Sequence, residues 1–315
     1  MADDVSRPGP TTREPDGAGV HGHVSAPVVA ALDGSSADAA VVAWAADEAA
    51  RTGRRLRLVH VVEPGFQLTS AEAALGELPA FSAGLRQGGR DLVAAAARDV
   101  ASRRPGLAVD EVVEWGSPSA VLVDLSRGAA WLVVGAPVRT GVERILLGSV
   151  ALAVVAHSHC AVAVVPTGYE GGAPRCVVVG VDGSPCSAHA VELALSVADA
   201  AGGDVTCVVG WSVEVVDGIV VTEPGTPAWR QVEDRYDAVV HEVVDRFARA
   251  HPDVAVDVVV RPGGAVAAVL DTATERHADL VVVGSRGRGG FAGLLLGSVS
   301  RRVVERAATV VAVAH

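Results

Sequence analysis

Beyond residue 25, short valine-rich apolar runs alternate with stretches whose apolar positions recur at helical spacing. The succession is clearest in the second half. "CVVVGV" predicts a strand and "SPCSAHAVELALSVADAAGG" a helix, with Ser184 as N-cap, Pro185 in the first turn and glycines at the stop. "DVTCVVGW" predicts the next strand, "TPAWRQVEDRYDAVVHEVVDRFARAHP" a long amphipathic helix, and "VAVDVVV" a third strand. Helix "GAVAAVLDTATERH", strand "ADLVVVG", helix "GSVSRRVVERA" and strand "TVVAVAH" complete the series. Continuous apolar strands separated by helices predict a parallel sheet covered on both faces. The expected unit is a doubly wound α/β domain.

That unit occurs twice. "VVAALDGSS" (28–36) matches "VVVGVDGSP" (177–185), "AAWLVVGA" (129–136) matches "ADLVVVGS" (278–285), and "ILLGSV" (145–150) matches "LLLGSV" (294–299). Each match is displaced by 149 residues, as Asp33 and Asp182 are. Two tandem doubly wound parallel-sheet domains follow, 26–166 and 175–315, joined at 167–174 by "TGYEGGAP", whose glycines and proline suit a linker. Residues 1–25 are polar and rich in Pro and Gly, predicting a flexible N-terminal tail. They lack the basic-then-apolar order of a secretion signal, so a cytoplasmic protein is expected.

Composition narrows the chemistry. With 315 residues, each half is long enough to bury its own core. No apolar run reaches membrane-spanning length, so no membrane partner is expected. A net charge of −11 argues against a general nucleic-acid binder. All 26 basic residues are arginine, which removes the P-loop lysine and Schiff-base chemistry. Cys160, Cys176, Cys186 and Cys207 lack CxxC spacing and are expected to be buried thiols in a reducing compartment. "HSHC" at 157–160 contains common zinc ligands, but its counterpart "RAAT" holds none, so no metal site is expected. Trp44, Trp115, Trp131, Trp211 and Trp229 are expected to pack in cores, and "DEAARTGRR" and "VEDRYD" to be solvated faces. Arg301 and Arg302 are placed to reach a phosphate, but one turn into a helix they read rather as exposed or paired with an acid such as Glu305.

Open parallel sheets bind ligands beyond the carboxyl ends of their strands, where the winding reverses. Two loops leave strands in this way in the second copy: "VDGS" after the first strand and "GSRGRGGFAGLLLGS" (284–298) after the fourth. Glycines let a backbone approach a ligand closely and permit positive φ, so successive N–H groups can form an anion nest. Gly297 and Ser298 open a helix whose N-terminus favours phosphate, Ser298 and Ser300 add hydroxyls, and Arg286 and Arg288 add positive charge. Two readings stand for the loop: a phosphate cradle, or a flexible connection ending in a helix cap. Two also stand for Asp182: a ligand contact, or a cap on its own "DGS" turn.

The spacing of Gly284, Gly287 and Gly297-Ser298, G-x2-G-x9-G-(S/T), resembles the ATP-binding pattern of the universal stress proteins. The resemblance, to tandem-domain members, covers both copies, about nine-tenths of the chain. It implies an adenine nucleotide alpha hydrolase-like fold with strand order 3-2-1-4-5, ATP with Mg2+ as the ligand, and dimer-like pairing of the copies through their last strands, with room for a homodimer. It further implies that Asp182 contacts ribose and that the backbone near Val209 and Gly210 meets adenine. Gly284 and Gly287, with Arg286 between them, would wrap ribose and phosphates. Gly297, Ser298, Val299 and Ser300 would bind phosphate.

The first copy departs from the pattern: Gly287 aligns with Val138, Arg286 with Pro137, Gly289 with Thr140 and Ser300 with Ala151. Valine does not readily take positive φ and projects a branched side chain, and proline lacks the N–H of a nest. The first copy is therefore expected to bind ATP weakly or not at all and to serve mainly as a pairing partner, although Asp33, Gly135, Gly148, Ser149 and "HVV" at 60–62 remain and leave partial or base-only binding open. No nucleophile–base pair or carboxylate dyad stands in these loops, so no catalytic residue is assigned and no efficient enzyme is expected. The leading expectation is an ATP-dependent regulator in a stress response, acting through a protein partner. The alternatives are a slow ATPase or autophosphorylating enzyme, and a nucleotide-free scaffold.

Overall fold

The structure is a computed structural model that describes residues 25–63, 78–136, 147–212, 214–216, 219–221, 223–288 and 296–315. In the first copy β1 (Val28–Leu32), β2 (Leu56–Val62), β3 (Val109–Trp115), β4 (Trp131–Ala136) and β5 (Ala161–Pro166) alternate with α1 (Asp38–Arg51), α2 (Leu78–Arg103), α3 (Pro118–Leu125) and α4 (Ser149–His157). The second copy repeats this order with β6 (Cys176–Gly180), α5 (Pro185–Ala201) and β7 (Asp204–Trp211), then α6 (Pro227–Phe247) and β10 (Ala255–Pro262). It closes with α7 (Ala265–Glu275), β11 (Leu280–Gly284), α8 (Ser298–Arg306) and β12 (Val310–Ala314).

Within each copy the strands are parallel, ordered β3-β2-β1-β4-β5 and β10-β7-β6-β11-β12. This is the expected 3-2-1-4-5 order, twice. The copies join edge to edge in one ten-stranded sheet through a single antiparallel pair, β5 with β12. Ala163 faces Ala312, its own equivalent 149 residues on, so the junction is a pseudo-twofold contact between like surfaces. Joining the two edges there removes two strands that would otherwise stand open.

Alternation along each strand feeds two helical layers. Val28, Ala30 and Leu32 point toward α1 and α2, and Val177 and Val179 toward α5 and α6. Val29, Val59, Val178 and Val208 point to the opposite face, covered by α3, α4, α7 and α8. Each wholly buried valine contributes about 1.5–3 kcal/mol, so a one-residue slip of register would be costly. The expected caps are in place: Ser184 Oγ accepts the Ser187 N–H at 3.2 Å, and Gly202 ends α5 at φ +62°. Thr226 does the same for α6, accepting the Trp229 N–H. Trp44 packs edge-on against Trp131 at 5.1 Å and Trp211 against Trp229 at 4.7 Å, inside the cores.

Several features depart from expectation. Trp115 is only partly buried, with the Arg86 guanidinium 5.1 Å over its ring. Of the four thiols expected to be buried Cys207 is, whereas Cys160, Cys176 and Cys186 are partly exposed. "DEAARTGRR" is not wholly a solvated face, because Glu48 is only 4% exposed and ion-paired with Arg51. Beside it, Asp47 binds Arg104 and accepts the Gly172 N–H at 3.1 Å, fastening the segment between the copies to α1. A small antiparallel pair, β8 (Glu214–Val216) with β9 (Ile219–Val221), follows β7. The sequence carried its signal, two apolar runs flanking Asp217-Gly218, a favoured hairpin dipeptide. No helix among the described residues is long and apolar enough to cross a membrane.

Candidate functional site

After β6 the chain turns sharply at Gly183, whose φ of +76° suits only glycine at little strain. Asp182 Oδ1 accepts the Ser184 N–H at 2.9 Å, so the carboxylate does cap its own turn. Its Oδ2 accepts the backbone N–H of Arg288, also at 2.9 Å. One side chain thus ties the β6 turn to the glycine loop leaving β11. Burial pushes the Asp182 pKa up, but the hydrogen bonds from Ser184 and Arg288 outweigh it and hold the carboxyl below its ordinary value.

The first glycines of the loop are required for space. A Cβ on Gly284 would lie 2.6 Å from the carbonyl oxygen of Cys186, where α5 begins. One on Gly287 would lie 2.5 Å from Asp182 Oδ2. Neither residue has positive φ, which corrects the expectation that conformation excludes valine at position 287. A side chain there would force a shift of the loop or of the Asp182 carboxylate, which the Ser184 and Arg288 N–H groups hold in place. Gly289 and Gly290 lie outside the described residues.

The chain returns at Gly297, whose N–H donates to the Ser285 carbonyl at 2.7 Å and which caps α8. Ser298 and Val299 are exposed at the helix start. Ser300 is buried, and its hydroxyl donates to the Gly284 carbonyl at 2.5 Å. That bond commits the Ser300 hydroxyl to the junction of strand, loop and helix. Arg286 and Arg288 are exposed, and the Arg288 guanidinium lies across Gly183, where a Cβ would meet its Nη2 at 2.5 Å. Asp182, Gly284, Arg286, Gly287, Gly297 and Ser300 therefore gather at the carboxyl ends of β6 and β11. Val209 and Gly210 lie near the carboxyl end of the neighbouring β7. Val209 is buried, and α7 covers Gly210 so closely that a Cβ would sit 2.8 Å from Ala265 Cα. Close helix packing, which sequence reasoning missed, is one reason for glycine at 210.

The first copy is built differently at the same place. Its described residues surround a cavity of about 610 Å³ at the ends of β1, β2 and β4, within the roughly 300–1,000 Å³ typical of small-molecule sites. Where the second copy has Gly210, the first has Val61, one of the cavity's lining residues. Where the second has Ser187, the first has Asp38, whose carboxylate accepts the N–H groups of Asp33 (3.1 Å) and Gly34 (2.9 Å). Burial raises the Asp38 pKa, partly offset by those N–H groups. Asp33 keeps the turn cap, accepting the Ser35 N–H at 2.9 Å. Asp38 was not singled out from the sequence, and its mismatch with Ser187 in the repeat alignment was the available signal. Pro137, Val138 and Thr140 lie outside the described residues, and Ala151, at the Ser300 position, is buried.

Two doubly wound units on one sheet, each with its loops meeting where the winding reverses, define a tandem doubly wound α/β protein. Comparison with known proteins carries this to a family. The sequence profile of the universal stress protein family matches residues 26–166 and 175–315, and the chain belongs to that family. Universal stress protein Rv1996 of Mycobacterium tuberculosis is 34% identical over 307 residues, spanning 91% of this chain and 94% of that protein. A universal stress protein of Mycolicibacterium smegmatis is 31% identical over 293 residues, spanning 91% and 96%. The crystal structure of a universal stress protein from Archaeoglobus fulgidus has the same fold, with a TM-score of 0.66, 20% identity and coverage of 92% and 98%.

Proposed function

We propose that the second copy binds ATP, with Mg2+, in the crevice between the Asp182 turn, the glycine loop and the start of α8, and that the protein acts as a nucleotide-dependent regulator in a stress response. The observation that carries this reading is the meeting of Asp182 with the backbone at 287–288, close enough that a side chain at 287 would displace one or the other. Asp182 then serves as the ribose contact by exchange: a ribose hydroxyl donates to Oδ2 in place of the Arg288 N–H. That exchange frees the N–H, with Arg286 and Arg288 nearby, to face phosphate oxygens. Gly297 and the exposed Ser298 add the α8 N-terminus, about half a positive charge. Regulation follows if the loop released from Asp182 presents a different surface to a partner, since a ligand shifts only states it binds unequally.

Protein purified from cells, denatured and chromatographed for released nucleotide, tests the reading alongside equilibrium binding of ATP–Mg2+ to the emptied chain. ATP release and saturable rebinding that is lost in Asp182→Ala support it. No nucleotide released and no ATP bound would favour a scaffold without nucleotide.

A further inference from the structure

We propose that the first copy completes the second copy's site: its loop 157–160 sets His159 beside His315, and the two imidazoles receive the outer phosphates of a nucleotide held by the glycine loop. The proposal rests on ATP binding by the second copy and adds to it a residue from the first.

The junction between the copies makes this meeting. β5 and β12 run antiparallel, so the amino end of β5 lies beside the carboxyl end of β12. Val313 pairs with Val162, and two residues further along the same register His315 stands beside Cys160. On its other side β12 adjoins the root of the glycine loop: Ala314 pairs with Gly284, and the Ser285 N–H donates to the Ala314 carbonyl at 2.7 Å. A loop at the amino end of the first copy's sheet therefore reaches the crevice end of the second. It is anchored there by the His159 N–H, which donates to Ser126 Oγ at 2.9 Å, and the His159 side chain is left exposed. β11 lies one strand from β12 and two from β5, about 5 and 10 Å. A phosphate chain leaving the glycine loop toward the junction meets His315 first and His159 second, and a single phosphate ends short of His159.

The surroundings favour an anion. Nε2 of His315 is buried without a hydrogen-bond partner among the described residues. Burial lowers the His315 pKa to about 4, and the charged side chains that lower it further are His159 and Arg286. Among the described residues no carboxylate offsets them, in a chain of net charge −11. A phosphate oxygen would give the buried nitrogen a partner and the positive field an opposite charge. The repeat shows that the fold itself does not need these imidazoles. "HSHC" corresponds to "RAAT" and His315 to Pro166, so the junction beside the first copy's crevice has Ala308 and Pro166 in their places. Both imidazoles thus fall to the copy whose glycine pattern is complete. They do not make a metal site: no group of three or more His, Cys, Asp or Glu side chains among the described residues is placed to hold an ion.

The test is equilibrium binding of ATP–Mg2+ and of AMP to the full chain, counting only the binding that Asp182→Ala removes. His159→Ala keeps the backbone N–H that anchors the loop. It is expected to weaken ATP at least fivefold and AMP less than twofold, with an unchanged melting curve. His159→Arg, which keeps a positively charged donor, restores wild-type ATP affinity, a rescue that a packing role would not give. The carbon-bound imidazole proton signals of His159 in the NMR spectrum, assigned by substitution, move on adding ATP and stay in place on adding AMP. ATP affinity unchanged in folded His159→Ala, ATP and AMP weakened alike, or His159 signals indifferent to ATP would each overturn the proposal alone. Wild-type chain that binds no ATP would overturn the reading beneath it, and the proposal with it.

Discussion

Replacing Gly287 by alanine, the smallest possible change, isolates the reason for glycine in the loop. Its Cβ would lie 2.5 Å from Asp182 Oδ2, whereas ordinary contact begins at 3.4 Å. The loop or the carboxylate must retreat by roughly 0.9 Å. A retreat of that size stretches the 2.9 Å bond from the Arg288 N–H to Asp182 past the useful range. A hydrogen bond to a charged group contributes about 1.5–3 kcal/mol, and less at a half-exposed site, so a loss of about 1–2 kcal/mol is expected. That corresponds to a fall in Tm of about 2–6 °C for a unit of this size. ATP affinity should fall at least about tenfold, or 1.4 kcal/mol, because the loop no longer holds its place against Asp182. Differential scanning calorimetry and ATP titration of Gly287→Ala read both. The two losses should travel together, and Gly287→Val should be little worse. Wild-type Tm and ATP affinity in Gly287→Ala would refute the close-approach reasoning and point back to conformation or branching.

Three further expectations follow from the same structure. Asp182 has a depressed pKa, so its contribution to stability is present above the ordinary carboxylate value of 3.8 and lost as pH falls through its folded value. The stability gap between wild type and Asp182→Asn should therefore be constant from about pH 5 to 8 and close in more acid solution, and urea titrations showing a flat gap would contradict it. Glu48→Ala strands the Arg51 guanidinium, 13% exposed and otherwise hydrogen-bonded to the Val197 carbonyl, and should cost about 2–3 kcal/mol in chemical denaturation. The thiols of Cys160 and Cys207 are both pushed up to about 12 by burial, so iodoacetamide at pH 8 should leave them unmodified until the chain unfolds, as peptide mass mapping would show.

The valine-rich runs and helical spacing sufficed for the fold because the inner strands, such as β11 and β12, are buried on both faces and read as continuous apolar sequence, while the edge strands β3 and β10 keep enough β-branched residues to be read. The constant displacement between Asp33 and Asp182 gave the two copies, and Ser184 and Gly202 marked helix ends by local chemistry alone. Other features depend on contacts distant in sequence. Glu48 lies in a polar-looking stretch, and only the packing of α1 shows it buried beside Arg51. Gly287 was recognisable as part of a pattern, but its cause is the carboxylate 105 residues earlier, which spacing alone does not reveal. Ser300 looked like a phosphate hydroxyl because of its place in the motif, whereas the fold uses that hydroxyl to hold the Gly284 carbonyl. The substitution of Asp38 for Ser187 lies on a helix start outside the motif, and only the fold shows its carboxylate holding the Asp33 and Gly34 N–H groups.

The most direct measurement is a crystal structure of the full chain grown with saturating ATP–Mg2+. Triphosphate density running from Asp182 past Gly287 to Gly297 and Ser298, with the Arg288 N–H displaced from the Asp182 carboxylate, is the expected result. An empty second-copy crevice with its Asp182–Arg288 bond intact, or ATP lodged in the acidic cavity of the first copy, would contradict the account.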